Sequence, residues 1–167
     1  MPPALACRPY AASGEMGETA LSKTRIIFVL LLAFVLWAIA TAMARAEVRI
    51  LSSPGGEVGP FLDLFEKVRD SGERVVIDGP CLSACTLVLS MVPNERICVT
   101  RRAVLGFHAA RSIDRRGRIY AEPEASRLVL DAYPDPIRSW IIRRGGLTSR
   151  LLLLRGRELA SMYRTCR

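Results

Sequence analysis

Apolar positions fall in two regimes along this chain: one unbroken early run, then short patterned segments. The run lies between Arg25 and Arg45, where nineteen residues carry no charge and the first seven are Ile26-Ile27-Phe28-Val29-Leu30-Leu31-Leu32. After it, Val48-Arg49-Ile50-Leu51 alternates and predicts a strand that stops at Ser52-Ser53-Pro54-Gly55-Gly56. Val58, Phe61, Leu62, Phe65 and Val68 recur at helical spacing and predict a helix ended by Ser71-Gly72. Val75-Val76-Ile77 predicts a short buried strand, closed by Gly79-Pro80. A second helix is expected from Ser83 to Met91, with Leu87, Val88 and Met91 on one face, followed by a turn at Pro93-Asn94. Arg96-Ile97-Cys98-Val99-Thr100 and Ala103-Val104-Leu105-Gly106-Phe107 then read as two further strands.

Strand, helix, strand, helix, strand is the order of a right-handed α/β winding, with loops at the strand ends open to chemistry. Asp114-Arg115-Arg116-Gly117 predicts an exposed turn. The last third reads as helical: Leu128, Val129 and Tyr133 share a face, Pro134 and Pro136 interrupt, and Ile137, Trp140 and Ile141 form the next face. Gly145-Gly146 fits a helix stop. The four leucines at 151–154 are expected to form a buried core turn. No repeat or low-complexity segment interrupts this order.

The early run has the parts of a secretory signal. Lys23 and Arg25 precede it, and Ala44-Arg45-Ala46 supplies a small-x-small site after it. Residues 1–46 are therefore expected to be a signal peptide cleaved after Ala46, with residues 47–167 as the mature domain. The alternative is a retained anchor over residues 26–44, since nineteen apolar residues can span about 30 Å of hydrocarbon. Either way the positive charges before the run place the domain across the membrane, in a periplasmic or otherwise exported location. Residues before Lys23 carry no structural pattern.

The whole chain has a formal charge of +8, and residues 47–167 keep 20 of its 24 basic and 14 of its 16 acidic side chains, a net +6. Export and the lack of aromatic-interleaved basic stretches exclude nucleic acid as a partner. Much of the basic excess is arginine between Arg138 and Arg167. That reads as a solvated face, with anionic lipid headgroups as the alternative contact. Cys7 leaves with the leader, so the mature part holds Cys81, Cys85, Cys98 and Cys166. Four cysteines in an oxidising compartment predict one or two disulfides, and the sequence leaves all three full pairings open. A bridge from Cys81 or Cys85 to Cys98 or Cys166 would staple the turn around Ser83; Cys85 as a small core residue is the alternative. The spacings do not form zinc knuckles, and neither a metal nor an organic cofactor is expected.

Three features carry chemistry. Ser83 follows a strand and the tight passage Gly79-Pro80-Cys81-Leu82, and it opens a helix whose N–H groups suit a developing oxyanion. Pro54-Gly55-Gly56 ends the preceding strand, where glycine lets backbone approach a substrate carbonyl. His108, the one histidine of the chain, ends a strand and can accept a seryl proton near neutral pH. Taken singly, each has an ordinary explanation as an N-cap, a turn or a packed histidine. Their order on these elements gives them weight.

In that order, Ser52-Ser53-Pro54-Gly55-Gly56, Gly79-Pro80-Cys81-Leu82-Ser83-Ala84 and Phe107-His108 resemble the Clp-type serine peptidases of the crotonase-like fold. The likeness covers about 60 residues, from Val48 to Ala109, and includes the serine-to-histidine interval of 25 residues. It implies an α/β fold, an abbreviated crotonase/Clp-protease-like ββα spiral core with C-terminal helices. It also implies Ser83 as nucleophile, His108 as general base, and the amides of Gly56 and Ala84 as the oxyanion hole. A lysine base of the kind used by exported signal-peptide peptidases is disfavoured, since Lys67 is the one lysine of the mature part and sits on the first helix.

Two departures stand out. The family's histidine-orienting aspartate falls where this chain reads Leu154-Arg155-Gly156-Arg157-Glu158. Glu158 is then the candidate third member, with Asp131 or Asp135 as substitutes, and a serine–histidine dyad as the alternative. The family also has a strand-helix unit before the Ser-Pro-Gly-Gly strand that is missing here, so its stacked rings are not implied, although an oligomer is compatible with the sequence. The leading function is an exported serine peptidase or acyl hydrolase acting on a peptide or protein substrate. The alternative is an inactive binding or assembly module on the same fold. A crotonase-type reaction on coenzyme A thioesters ranks third, since both export and the serine at that turn speak against it.

Overall fold

The computed structural model describes residues 18–42 and 46–166. The chain divides into two units, residues 1–44 and residues 45–167. In the first, α1 (Glu18–Ala42) is one continuous helix. Among the described residues no helix is long and apolar enough to cross a membrane. The stretch 26–44 read as an alternative anchor runs past this helix, and positions 43 and 44 lie outside the described residues. So does the small-x-small site, apart from Ala46.

The second unit is a mixed α/β domain. Strands β1 (Glu47–Ile50), β2 (Arg74–Ile77), β4 (Ile97–Val99) and β9 (Arg164–Thr165) form a parallel sheet in the order β1-β2-β4-β9. A second sheet has the order β3-β5-β8, from β3 (Pro80–Leu82), β5 (Val104–Phe107) and β8 (Leu152–Arg155). In it β3 and β5 run parallel, whereas β8 is antiparallel to β5. The chain crosses between sheets repeatedly: β2 leads directly to β3, β4 leads to β5, and beyond β1 Ser53 bridges to Cys81 of β3. Gly79 makes one crossing physically available, because a Cβ there would stand 1.9 Å from the Leu51 carbonyl oxygen.

Sequence pattern explains most of these elements. Val75, Val76 and Ile77 are all buried, as a continuous apolar run in a parallel strand requires. Helix α2 (Val58–Ser71) buries Phe65 and Val68 and ends on left-handed Gly72, whose N–H donates to the Arg69 carbonyl. Helix α5 (Asp135–Ile142) puts Ile137, Trp140 and Ile141 into the core. There Phe107 meets Tyr133 edge-on at 5.3 Å between ring centroids and Trp140 at 6.0 Å. That packing fixes the strand end from which His108 emerges.

Three expectations are corrected. The helix expected from Ser83 to Met91 is a 3₁₀ turn (Ser83–Leu87) followed by the single turn α3 (Val88–Met91). The Thr86 hydroxyl donates to the Ser83 carbonyl at 2.6 Å, a local bond that competes with regular helix pairing. The four leucines make a strand rather than a turn, with Leu152 and Leu154 buried and Leu153 exposed, because alternation lets β8 cover β5 with one face. On α4 (Pro123–Ala132), Leu128 does not share the inner face of Val129 and Tyr133 but is 63% exposed. The exposed turn expected at 114–117 forms, closed by the Gly117 N–H donating to the Asp114 carbonyl at 2.9 Å, and it is the tip of a hairpin between β6 (Arg111–Ile113) and β7 (Ile119–Ala121).

The cysteines pair as Cys81–Cys85 and Cys98–Cys166. The bridge expected from the Ser83 turn to Cys98 or Cys166 does not form, because the 3₁₀ coil brings Cys85 back over Cys81 to a Cα separation of 5.3 Å. Cys85 is thus both a core residue and a half-cystine. Two disulfides are compatible with an exported protein.

Candidate active site

Three chain segments converge on one cleft of about 600 Å³. Pro54, Gly55, Gly56 and Glu57 come from the loop after β1, Ser83 opens the 3₁₀ turn, and His108 follows β5. The stretch from Ala110 to Ile113 at the start of the hairpin closes another side.

Among the described residues Ser83 is the one non-glycine with positive φ, at 54°. Left-handed backbone costs an L-residue about 1–2 kcal/mol, and such conformations gather at functional turns. The turn is held from both sides. The Cys81–Cys85 disulfide closes a ring around it. Gly55 packs against it so closely that a Cβ there would lie 2.6 Å from Ser83 Cβ and 3.1 Å from the Ala84 nitrogen. Glycine at 55, with φ of 84°, is therefore required by both space and backbone. Ser83 Oγ has no hydrogen-bond partner among the described residues, although the same residue's carbonyl is bonded.

His108 is half-buried. Its Nδ1 lies 2.7 Å from the Ala109 carbonyl oxygen. A carbonyl only accepts, so Nδ1 carries the proton and Nε2 of the neutral ring keeps its lone pair. The loop beyond the histidine is pinned in turn: Ala109 N–H donates to the Thr148 carbonyl at 2.8 Å and Ala110 N–H to Ser126 Oγ at 2.8 Å.

No carboxylate reaches the imidazole among the described residues. Glu158 accepts from Arg144 at 2.7 Å, Asp135 is ion-paired with Arg138, and Asp131 is exposed on α4. The structure thus brings Ser83, His108, Gly56 and, at the edge of the serine turn, Ala84 into one region, and it leaves all three candidate acids outside. Sequence reasoning passed over Ala109, whose carbonyl stands where an orienting acid was sought. It also passed over the Thr86 and Tyr133 hydroxyls, which meet at 2.6 Å beneath the turn. Backbone acceptors leave no signature in side-chain identity. The hydroxyl pair joins positions 47 residues apart, and no local pattern records such a contact. No group of three or more metal-ligating side chains occurs among the described residues.

No family model matches the chain, and no curated protein matches it. Among solved structures it is similar to a mutant of ClpP1 from Listeria monocytogenes, at 15% identity and a TM-score of 0.42 over 72% of each chain. At that level the likeness assigns no activity, and the functional reading rests on the cleft itself.

Proposed function

We propose that this chain is an exported serine hydrolase that cleaves an acyl bond in a peptide or protein substrate. In this reading residues 1–46 are a leader removed after Ala46, and residues 47–167 form an abbreviated Clp-protease-like, crotonase-type spiral. The observation that carries it is the presence, in the lining of one cleft, of a strained serine with a free hydroxyl and a histidine whose neutral ring keeps its Nε2 lone pair because Nδ1–H is held by the Ala109 carbonyl.

The reaction follows from those groups. Ser83 Oγ attacks the substrate carbonyl carbon while its proton passes to His108 Nε2. The carbonyl electrons move onto oxygen, where the Gly56 and Ala84 N–H groups offset the developing charge. The C–N or C–O bond then breaks and the leaving group takes the proton from His108. Water, deprotonated by the same nitrogen, hydrolyses the acyl-serine. The imidazolium formed midway keeps its Nδ1–H on the Ala109 carbonyl. A neutral carbonyl fixes the tautomer but offsets less positive charge than a carboxylate, so turnover is expected to be slower than in a full triad.

The second reading, a binding module on the same scaffold, is favoured by one observation: no hydrogen bond joins Ser83 to His108 among the described residues. Catalytic hydrogen bonds are often formed only once substrate is in place. Labelling of residues 47–167 with a fluorophosphonate probe separates the two. Labelling lost in both Ser83→Ala and His108→Ala supports the hydrolase. A folded protein that takes no label in any form supports the binding module.

A further inference from the structure

We infer that Thr86 and Tyr133 are positioning residues that aim the Ala84 N–H into the cleft by holding the opposite end of its peptide plane. The inference rests on the acyl-transfer reading above and adds to it two residues from outside the cleft wall. Its basis is a three-member chain beneath the serine. The Thr86 hydroxyl donates to the Ser83 carbonyl at 2.6 Å, and Thr86 Oγ1 stands 2.6 Å from the Tyr133 hydroxyl. Threonine has a single proton to give. Since the carbonyl can only accept, that proton goes to Ser83, and Tyr133 must donate to Thr86.

The consequence lies in peptide geometry. The Ser83–Ala84 bond is trans and planar, so its C=O and N–H point in opposite directions. Drawing the carbonyl down toward Thr86, a fully buried side chain, turns the Ala84 N–H the other way. Gly55, which lines the cleft, packs beside that amide: a Cβ on Gly55 would come within 3.1 Å of the Ala84 nitrogen. The first N–H groups of a helical turn also lack partners inside the turn. The left-handed backbone at 83 is a strained conformation that its surroundings must hold in place, and the hydroxyl chain supplies one such restraint. Tyr133 is itself held edge-on by Phe107, whose neighbour is His108. The same aromatic contact therefore ties the position of the base to that of the amide.

Thr86→Val keeps size and shape but removes the hydroxyl. Its fluorophosphonate labelling rate is expected to fall by about 100-fold, the scale of losing one oxyanion donor. Thr86→Ser, which keeps the hydroxyl, should label like the parent, and Tyr133→Phe should fall between them. Probe saturation should show the loss in the limiting rate rather than in the binding constant. Crystal structures of the Thr86→Val and Tyr133→Phe proteins provide an arm that needs no activity: the Ser83 carbonyl should rotate out of its present direction in Thr86→Val. A parent that does not label sinks the hydrolase reading, while the crystallographic arm still decides this one. A Thr86→Val protein with the Ser83–Ala84 peptide unmoved, or labelling at the parental rate, overturns the inference.

Discussion

Two polar centres follow consecutive strands, Asp78 after β2 and Ser83 after β3, and they use their hydrogen-bonding capacity in opposite ways. Asp78, 7% exposed, accepts from Arg49 at 3.0 Å, from Thr100 at 2.7 Å, and from Arg102 at 3.1 and 2.6 Å. Five residues onward, Ser83 presents a hydroxyl with no partner among the described residues, in a cleft that a histidine with one free nitrogen also lines. The first centre is saturated and joins β1, β2 and the turn after β4. The second is left incomplete within a strained backbone. A nearly buried carboxylate without partners would be costly, so saturation marks a structural role. An incomplete pair at a cleft marks a place for a ligand to complete it.

The sharpest way to break the comparison is to delete one side of each centre. Ser83→Ala should remove all fluorophosphonate labelling with little change in thermal midpoint. His108→Ala should slow labelling by about 10²–10⁴-fold, the usual contribution of a positioned base. Asp78→Asn should do the reverse, lowering the thermal midpoint while the surviving folded protein labels at the parental rate. If Asp78→Asn loses labelling with its stability intact, the division between the two centres fails.

The disulfides extend the same division. Loop-entropy arguments give about 4 kcal/mol for the long Cys98–Cys166 closure and about 2 kcal/mol for the short Cys81–Cys85 ring. Replacing the first pair by serine should therefore destabilise more in denaturant titration and leave labelling per folded molecule unchanged. Replacing the second should destabilise less and yet slow labelling, because the ring it opens contains Ser83. Equal effects of both replacements on labelling would show that the short ring has no special bearing on the serine.

How much of this was legible in the sequence follows from the range of the interactions involved. Strands of continuous apolar residues, such as Val75-Val76-Ile77, and the helix face through Phe65 and Val68 were readable, because burial writes a period into the chain. The convergence of Ser83, His108 and the glycine turn was readable only as an order of motifs. Missed features depend on contacts remote in sequence or on backbone atoms. β8 looked like a turn because its pairing with β5 joins positions some 50 residues apart, such as Leu105 and Leu154. Asp78 drew no attention because its partners are 22 to 29 residues away. The disulfide pairing depended on how tightly the 3₁₀ turn coils, which apolar spacing does not encode.

Acid sharpens the comparison more gently. The Arg102 bonds, then the Thr100 hydroxyl, hold the Asp78 carboxyl well below the usual carboxylate range. Asp114 is lowered too, chiefly by the Arg118 backbone N–H and then by the Arg118 guanidinium. A carboxyl depressed by folding contributes stability that is present above its unfolded pKa and is lost as pH falls toward the folded one. Stability should thus decline below about pH 4, and Asp78→Asn should flatten that decline in part, with Asp114 accounting for some of what remains. At the other limit, burial pushes the Tyr133 hydroxyl up to about 12. Its contribution is complete below the unfolded value near 10 and fades as pH rises from there toward 12. Tyr133→Phe should remove that part of the alkaline decline.

The smallest effect is the most specific to the serine turn. Ser83 at φ 54° bears the left-handed penalty, and alanine would bear it equally, so Ser83→Ala gains nothing from the backbone. Glycine escapes about 1–2 kcal/mol of it but returns about 0.5–1 kcal/mol through the entropy of a freer unfolded chain. Ser83→Gly should therefore be more stable than Ser83→Ala by about 1 kcal/mol in urea titration, while both lose all labelling. That outcome would show a serine kept at a strained position against the interest of folding, as a reactive residue would be. If alanine proves equal to or more stable than glycine there, the backbone at 83 is unstrained in solution, and strain drops out as a reason to read this turn as functional.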